Sequence, residues 1–468
     1  SFQPGLRVET NCQNCGFQQV RINGLDGPYT QILIDSRPVF SALSGVYGLE
    51  QIPASMIERV EVMRGGGSAL FGSSAIAGTI NIITKEPLRN SGQLSHTITS
   101  LGGSSSFDNN TSLNASLVTD DHRAGLYIFG QNRYRSGYDY DGDGFTELPK
   151  LKNQTVGFRS YLKTSTYSKL TFEYHHMQEF RRGGDMLNRP PHEAHIAEQL
   201  QHSIDGGSLK FDYFSPDEKN RLSVFASAAN TDRDSYYGPG NDPLKAYGKT
   251  TDLTAMGGAQ YVHTFDKCFF MPSDLTAGLE YNRDRLKDNM WGYNRHTDQT
   301  VNIYSAFLQN EWKNDRWGIL IGGRLDKHNM VDNVIFSPRA NLRFNPTQNI
   351  NLRLSYSSGF RAPQAFDEDM HIENVGGTVA MIERAKDLKE EKSQSFSVSA
   401  DMYHRFGAFQ TNLLIEGFYT RLTDVFVLGK PYDRGDGILV KTRSNGPGAK
   451  VMGLTLEGKV AYLSILQI

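Results

Sequence analysis

The sequence predicts a membrane β-barrel preceded by a small α/β unit, and three observations carry that expectation. From about residue 92 onward, apolar residues recur at every second position. Leu170, Phe172, Tyr174 and His176 alternate with Thr171, Glu173, His175 and Met177. Ile350, Leu352, Leu354 and Tyr356 alternate with Asn351, Arg353, Ser355 and Ser357, and Ile319, Ile321, Gly323 and Leu325 repeat the pattern. Period-two alternation gives a strand one apolar and one wet face. The connections form the second observation. A tight turn at residues 345–349 contrasts with long, polar stretches at 181–201, 239–249 and 360–394, and barrels in outer membranes alternate short turns with long loops in this way. Composition is the third. The 468 residues include 46 Gly, 22 Tyr and 26 Phe, yet mean hydropathy is -0.47 and no apolar run approaches the ~18 residues of a membrane helix. Barrel strands are apolar on alternate residues only, so low hydropathy excludes helical spans without excluding a membrane.

Charge narrows the function classes. Lys plus Arg is 49 against Asp plus Glu at 51, a net charge of -2, which gives no whole-chain electrostatic reason to bind nucleic acid. The chain contains no Gly-x-Ser-x-Gly elbow, phosphate loop or His-Glu-x-x-His, so an enzyme is not expected. A soluble β-sandwich or propeller would also alternate, but no fixed repeat period supports a propeller.

Residues 1–88 follow a different grammar. Gln31-Ile-Leu-Ile-Asp35 and Ile57-Glu-Arg-Val-Glu-Val-Met63 are short apolar segments between Gly-rich turns. Ala75-Ile-Ala-Gly-Thr-Ile-Asn-Ile-Ile-Thr84 is mostly apolar and suits a buried strand. Pro53-Ala-Ser-Met-Ile-Glu58 reads as one helical turn opened by Pro, and Gly65, Gly66, Gly67 and Gly72 mark tight turns. Residues 92–468 are the expected barrel.

Val20-Arg-Ile-Asn-Gly24, Leu33-Ile-Asp35, Ile52-Pro53, Ile57-Glu-Arg-Val-Glu-Val-Met-Arg-Gly65, Ser68-Ala-Leu-Phe-Gly-Ser73 and Ala75 to Lys85 occur in that order. This ordered set resembles the plug domain of TonB-dependent outer-membrane transporters, and Ser357-Ser-Gly-Phe-Arg-Ala-Pro363 resembles the entry to a long extracellular loop of the same family's barrel. The resemblance implies a 22-strand barrel occluded by the plug, sited in the outer membrane of a Gram-negative bacterium. The implied partners are the inner-membrane TonB complex, a metal-chelate ligand and a surface lipoprotein. Glu61 and Arg64 are implied plug–barrel contacts, paired with lumen arginines and carboxylates. The chain departs from the family at both ends: the TonB-contacting segment and first plug strand are absent, and residues 451–468 read as one further strand without a terminal aromatic. Twenty-two strands of ten residues need about 220 residues before turns and loops. A fragment with open sheet edges is therefore expected.

The resemblance also assigns the ligand floor to outward plug loops. Asn11, Gln13 and Asn14 in one loop, and Phe40, Ser41, Ser44 and Tyr47 in another, offer amides, hydroxyls and rings to a large polar ligand. Arg361 and His371, in the 360–394 segment, are barrel-side candidates. Cys12 and Cys15 could hold a soft metal such as Cu(I), but an oxidised or incidental pair is the stronger expectation. Asp139, Asp141 and Asp143, followed by Gly144 and Glu147, repeat the opening of a Ca²⁺ loop, although Glu147 comes too early for an EF-hand and a solvated acidic loop is the alternative. His371 after Phe360-Arg-Ala-Pro363 is similar to haem-uptake receptors, but the Asn-Pro box of those receptors is missing from Ala385-Lys-Asp-Leu-Lys-Glu390. His175, His176, His192 and His195 are read as solvated loop imidazoles.

The expected function is TonB-energised import of a scarce metal chelate, cobalamin or a ferric siderophore before haem or copper, with no required cofactor. An outer-membrane adhesin or structural barrel, or an importer of saccharide or peptide, is the alternative.

Overall fold

The computed structural model describes residues 5–12, 16–37, 53–67, 72, 75–239, 246–375, 378–462 and 466–467. In the N-terminal unit, Leu6–Cys12 and Phe17–Ile22 form an antiparallel hairpin. Thr30–Ile34, Ile57–Arg64 and Gly78–Thr84 form a second sheet, with Gly78–Thr84 in the middle. The middle strand runs parallel to the first and antiparallel to the second. It is buried at every position except Ile83, and its Ile and Thr residues suit a strand covered on both faces. Among the described residues, helix in this unit is limited to the 3₁₀ turns Gly27–Tyr29 and Ala54–Met56, the latter with Pro53 as its N-cap. Gly65 has φ 82°, a left-handed value that suits glycine at the turn leaving Ile57–Arg64.

From Ser91 onward the chain is a barrel of seventeen strands among the described residues, closed in a ring. Neighbouring wall strands pair antiparallel in sequence order. Two departures interrupt that order, after Arg361 and after Thr423. There Glu373–Val375, Thr378–Arg384, Phe426–Leu428, Tyr432–Asp433 and Leu439–Asn445 leave the wall and form a separate five-stranded sheet. This sheet packs Met381, Val379 and Ile438 against Leu200, Tyr236, Tyr237 and Met290 of the wall, so it sits inside the mouth at the long-connection end.

The ring shuts through Leu466–Gln467, which joins Ala449–Tyr462 to Ser91–Ser100. An odd number of strands that otherwise alternate in direction leaves one parallel junction, and it falls at this two-residue strand. Where the sequence leads one to expect open edges, the described strands close. Lipid cannot satisfy unpaired strand edges, which is the physical reason closed rings span membranes.

Alternation explains the outer surface. Phe172, Leu253, Leu279, Leu308, Ile321 and Leu354 are exposed, while the intervening Thr171, Thr254, Asp252 and Arg324 are buried inside. Aromatic residues collect at the short-turn end. Phe269 and Phe270 sit in a turn, Phe270 stacks on Trp312 at 5.6 Å, Trp317 on Phe344 at 4.3 Å, and Phe409 meets Tyr462 at 4.9 Å. This is the girdle of a barrel at a membrane interface.

Strands from Ser168–Gly184 to Arg295–Lys313 run 17 to 22 residues. About ten span a bilayer, so the wall projects well beyond it. Much of the expected 181–201 loop is therefore strand, and the connection shrinks to residues 185–195. The 345–349 turn likewise tightens, because Thr347 pairs with Ile350. His175 and His176, expected both in the 170–177 alternation and as solvated imidazoles, lie within the strand Ser168–Gly184.

Candidate functional site

The interior of the ring is ionic. Arg181, Arg182, Arg233, Asp252, Asp288 and Asp326 are all buried, and they are partnered there. Arg324, for example, lies 2.6 Å from Glu280 and 2.8 Å from Asp326. Such pairs contribute little net over apolar packing, but removing one partner strands a buried charge and costs about 3–5 kcal/mol. They therefore hold a geometry without cementing it.

The N-terminal unit occupies this lumen and meets the wall at several points. Arg64 Nη1 is 2.6 Å from Glu416 Oε2. Asp35 pairs with Arg159, whose guanidinium also touches Thr84 and lies 3.5 Å from both Glu173 and Glu86. Tyr29 Oη donates to Glu391 Oε1 at 2.9 Å. Burial, then the Glu391 carboxylate, pushes the Tyr29 phenol above its ordinary range. Arg37 lies over the Phe225 ring at 4.6 Å, and Tyr127 Oη donates to the Ser55 carbonyl at 2.6 Å. The apolar core of the unit is completed by wall residues Tyr127, Phe129 and Leu422.

Glu61 does not reach the wall. It pairs with Arg59 at 2.8 Å and accepts from Asn81 at 3.3 Å, both within the unit, and its side chain is 49% exposed. The cause is strand parity. Arg59 and Glu61 share one face of Ile57–Arg64, and Arg64 lies on the other.

Above the unit, the connection after Arg361 dips into the lumen as the one-turn helix Asp367–Met370. Three carboxylates on four residues would repel one another, but arginines from distant segments surround them. Arg233 Nη1 is 2.6 Å from Asp367, Arg361 pairs with Glu368, and Arg443 is 2.7 Å from Asp369 and 3.4 Å from Glu368. Burial raises the pKa of Asp367, with Arg233 opposing. Arg361 also lies 4.0 Å from the Phe366 ring centre, 5.8 Å from that of Tyr29 and 3.8 Å from Glu391. A hydrogen bond from Tyr29 in the unit to Glu391 thus continues as ion pairs through Arg361, Glu368 and Arg443.

Arg361, expected to face a ligand, is 4% exposed and enclosed by these partners. Its place at the end of Ile350–Arg361, beside the inserted helix, commits it to structure. His371 packs edge-on against Tyr237 at 5.2 Å and lies 3.6 Å from Glu198. His192 and His195 are likewise engaged, with Tyr247 Oη at 2.8 Å and Asp185 Oδ2 at 2.6 Å.

Of the expected floor, Asn11 and Cys12 are described only as backbone at the end of Leu6–Cys12. Gln13, Asn14, Cys15, Phe40, Ser41, Ser44 and Tyr47 lie outside the described residues. The described end of the first loop does reach the wall: Arg181 Nη1 donates to the Gly16 carbonyl at 3.3 Å. Asp139, Asp141, Asp143 and Glu147 stand together, with one carboxylate oxygen from each within 4.8 Å of the others. Asp139 accepts from Gly142 N at 2.7 Å and Gly144 N at 2.9 Å, which folds the loop around its own acids.

A cavity of about 630 Å³ opens at the long-connection end. Residues 294–297, Met330, the 363–388 connection and Arg434 line it. Sequence reasoning missed this site, because its walls come from four connections that nothing local in the sequence links.

A lipid-facing ring whose lumen is filled by a separate unit, held by ion pairs and by a limited apolar contact at Tyr127, Phe129 and Leu422, is a plugged membrane barrel. Family models agree in detail: "TonB-dependent Receptor Plug Domain" matches residues 1–79, and "TonB dependent receptor-like, beta-barrel" matches 78–467. The chain belongs to the TonB-dependent receptor family, whose members are transport receptors in the outer membrane of Gram-negative bacteria. It is 23% identical to the vitamin B12 transporter BtuB of Vibrio vulnificus over 381 residues, 78% of this chain and 57% of that protein. It is 36% identical to the ferric enterobactin receptor PirA of Pseudomonas aeruginosa over 97 residues, 18% of this chain and 13% of that protein. The chain thus spans little more than half the length of the first of these relatives. Among solved structures, the siderophore receptor PirA from Acinetobacter baumannii superposes with a TM-score of 0.79 at 18% identity, covering 98% of this chain and 74% of that one. A ferric enterobactin receptor (PfeA) mutant from Pseudomonas aeruginosa, in complex with enterobactin, gives 0.77 at 19% identity, covering 97% and 74%. The boundary between the two models falls at 78–79, although Gly78–Thr84 hydrogen-bonds wholly within the plug sheet.

Proposed function

We propose that this chain forms the plug and barrel wall of an outer-membrane importer. In this reading it takes a scarce metal chelate, a ferric siderophore or cobalamin, from outside the cell, and the inner-membrane TonB complex supplies the energy. The observation that carries the reading is the plug's attachment. Arg64–Glu416, Asp35–Arg159 and Tyr29–Glu391 cross the plug–wall boundary as polar contacts beside the apolar contact at Tyr127, Phe129 and Leu422, and such polar contacts can break and re-form. The long-connection end, with its cavity and inserted helix, would face outward and receive the ligand. Ligand names belong to the relatives; their bearing here is that receptors for cobalamin and for ferric siderophores share this fold and family.

The acidic loop at Asp139, Asp141, Asp143 and Glu147 is proposed as a Ca²⁺ site that would stiffen the rim. Terbium luminescence sensitised by Tyr138 and Tyr140, and lost in Asp141→Asn, supports it; no luminescence in the wild type overturns it. For transport, growth on a ferric chelate as sole iron source is expected to require both this receptor and the energising complex. A saccharide or peptide bound in preference to any chelate would overturn the cargo assignment.

A further inference from the structure

The cavity at the long-connection end carries a charge imbalance that the protein does not resolve itself. Arg384, the last residue of Thr378–Arg384, is partly buried in its wall. Its Nη1 donates to Gln299 Oε1 at 2.8 Å and to the Pro363 carbonyl at 3.1 Å, both neutral acceptors. Among the described residues it forms no ion pair. The acid nearest in influence, Asp369, is already bridged to Arg443 at 2.7 Å. Burial therefore lowers the Arg384 pKa, with Asp369 opposing. Other arginines of this lumen are matched to carboxylates, Arg233 to Asp367 and Arg324 to Glu280 and Asp326, while Arg182 spends its donors on the Gly183 and Asp185 carbonyls and does not line this cavity.

Two neighbours in the lining point the same way. Arg295 spends its Nε and Nη2 on Asp288 and on the Met370 carbonyl, but its Nη1 is buried without an acceptor. Lys386 is exposed at the same cavity. The carboxylates of the lining are Asp369, which is engaged, and Glu383, which is exposed. A desolvated guanidinium without a counter-charge is unfavourable, and a planar fork of donors is suited to paired oxygens.

We infer that this cavity binds an anionic ligand through Arg384, with Arg295 Nη1 and Lys386 as supporting donors. The inference rests on the importer reading above and sharpens it. The cargo would be a chelate whose metal-binding oxygens carry net negative charge, in preference to an uncharged chelate or a corrin. At about 630 Å³ the cavity is of the size that holds a compact ligand.

The test is a titration of the detergent-purified receptor, plug in place, with three probes: trianionic iron(III) tris-catecholate, an uncharged iron(III) trihydroxamate and cyanocobalamin. The tris-catecholate is expected to bind most tightly, with affinity falling as ionic strength rises. Arg384→Gln is expected to weaken it roughly ten- to hundredfold and Arg384→Lys by less, while any binding of the uncharged chelate is unaltered. Lys386→Glu, an exposed change that leaves packing intact, is expected to weaken the tris-catecholate as well. Preference for the uncharged chelate or cyanocobalamin overturns the anionic assignment and leaves the importer reading standing. Unchanged affinity in both Arg384→Gln and Lys386→Glu, or equal losses for charged and uncharged probes, also overturns it. Binding of none of the three overturns the inference together with the chelate reading.

Discussion

Tyr29 of the plug donates its phenolic hydrogen to Glu391 of the barrel wall at 2.9 Å, 362 residues away in sequence. Glu391 is also held by the Phe426 amide at 2.5 Å and faces Arg361 at 3.8 Å, so this hydroxyl joins the plug to the inserted Asp367–Met370 helix. Tyr29→Phe removes the donor and keeps the ring. Loss of a hydrogen bond to a charged group is expected to weaken plug attachment by about 1.5–3 kcal/mol, read as a lower denaturant midpoint for plug release while the barrel transition stays put. The pKa shift adds a sign. A tyrosine whose folded pKa is raised stabilises fully below its unfolded value near about 10 and loses that contribution as pH rises beyond it. Plug attachment should weaken in alkali in the wild type and less so in Tyr29→Phe.

Arg64 and Glu416 form the second anchor, both side chains 14% exposed. Arg64→Ala and Glu416→Ala are each expected to cost about 3 kcal/mol, and the double variant clearly less than their sum. Hydrogen exchange of the plug strands measures all three. Glu61→Ala is the contrast. Its pair with Arg59 is solvent-exposed, and such pairs are worth about 0–1 kcal/mol, so plug protection should hardly change.

Asp185 ties down the 185–195 connection. Burial works against its charge. Hydrogen bonds from Ile196 N at 3.1 Å, His195 Nδ1 at 2.6 Å and His195 N at 3.0 Å outweigh it and hold the carboxyl below the usual range. A carboxylate with a depressed folded pKa stabilises above its unfolded value, about 3.9, and loses that contribution as pH falls through the folded value. Amide exchange in residues 185–196 should therefore accelerate below about pH 4, and Asp185→Asn should flatten the profile.

Leu354 lies four residues into Ile350–Arg361 from the short turn and is 53% exposed. That surface faces lipid, so Leu354→Arg should cost about 2–4 kcal/mol of folding stability in bilayers. A change to Ala at the same site should cost much less.

These residues also mark how far the sequence could be read. Alternation such as Leu352, Leu354 and Tyr356 exposed the barrel, because a wall with lipid on one side and an ionic lumen on the other must alternate. The plug was legible from an ordered run of motifs, and Arg64 from its place in that run. Glu61 was misassigned because the run does not state which face of the strand turns outward. Strand lengths were underestimated because wall beyond the membrane has no lipid face and stops alternating, as around Arg181 and Arg182. The Asp367–Met370 helix and Arg384 were invisible for a different reason. An acidic run in a long connection reads as solvated until Arg233, Arg361 and Arg443 are brought to it, and only the closed ring does that.

The most direct test of the central claim, that the plug is displaced to admit a chelate on energy from the inner membrane, is uptake of radioiron presented as an anionic iron(III) chelate. Cells producing the receptor are compared with and without the energising complex. Accumulation only with the complex, and its abolition when a bifunctional thiol crosslinker tethers the plug to the wall in Arg64→Cys with Glu416→Cys, whose native side chains meet at 2.6 Å, is the expected result. Uptake that persists without the complex, or through a tethered plug, would contradict it.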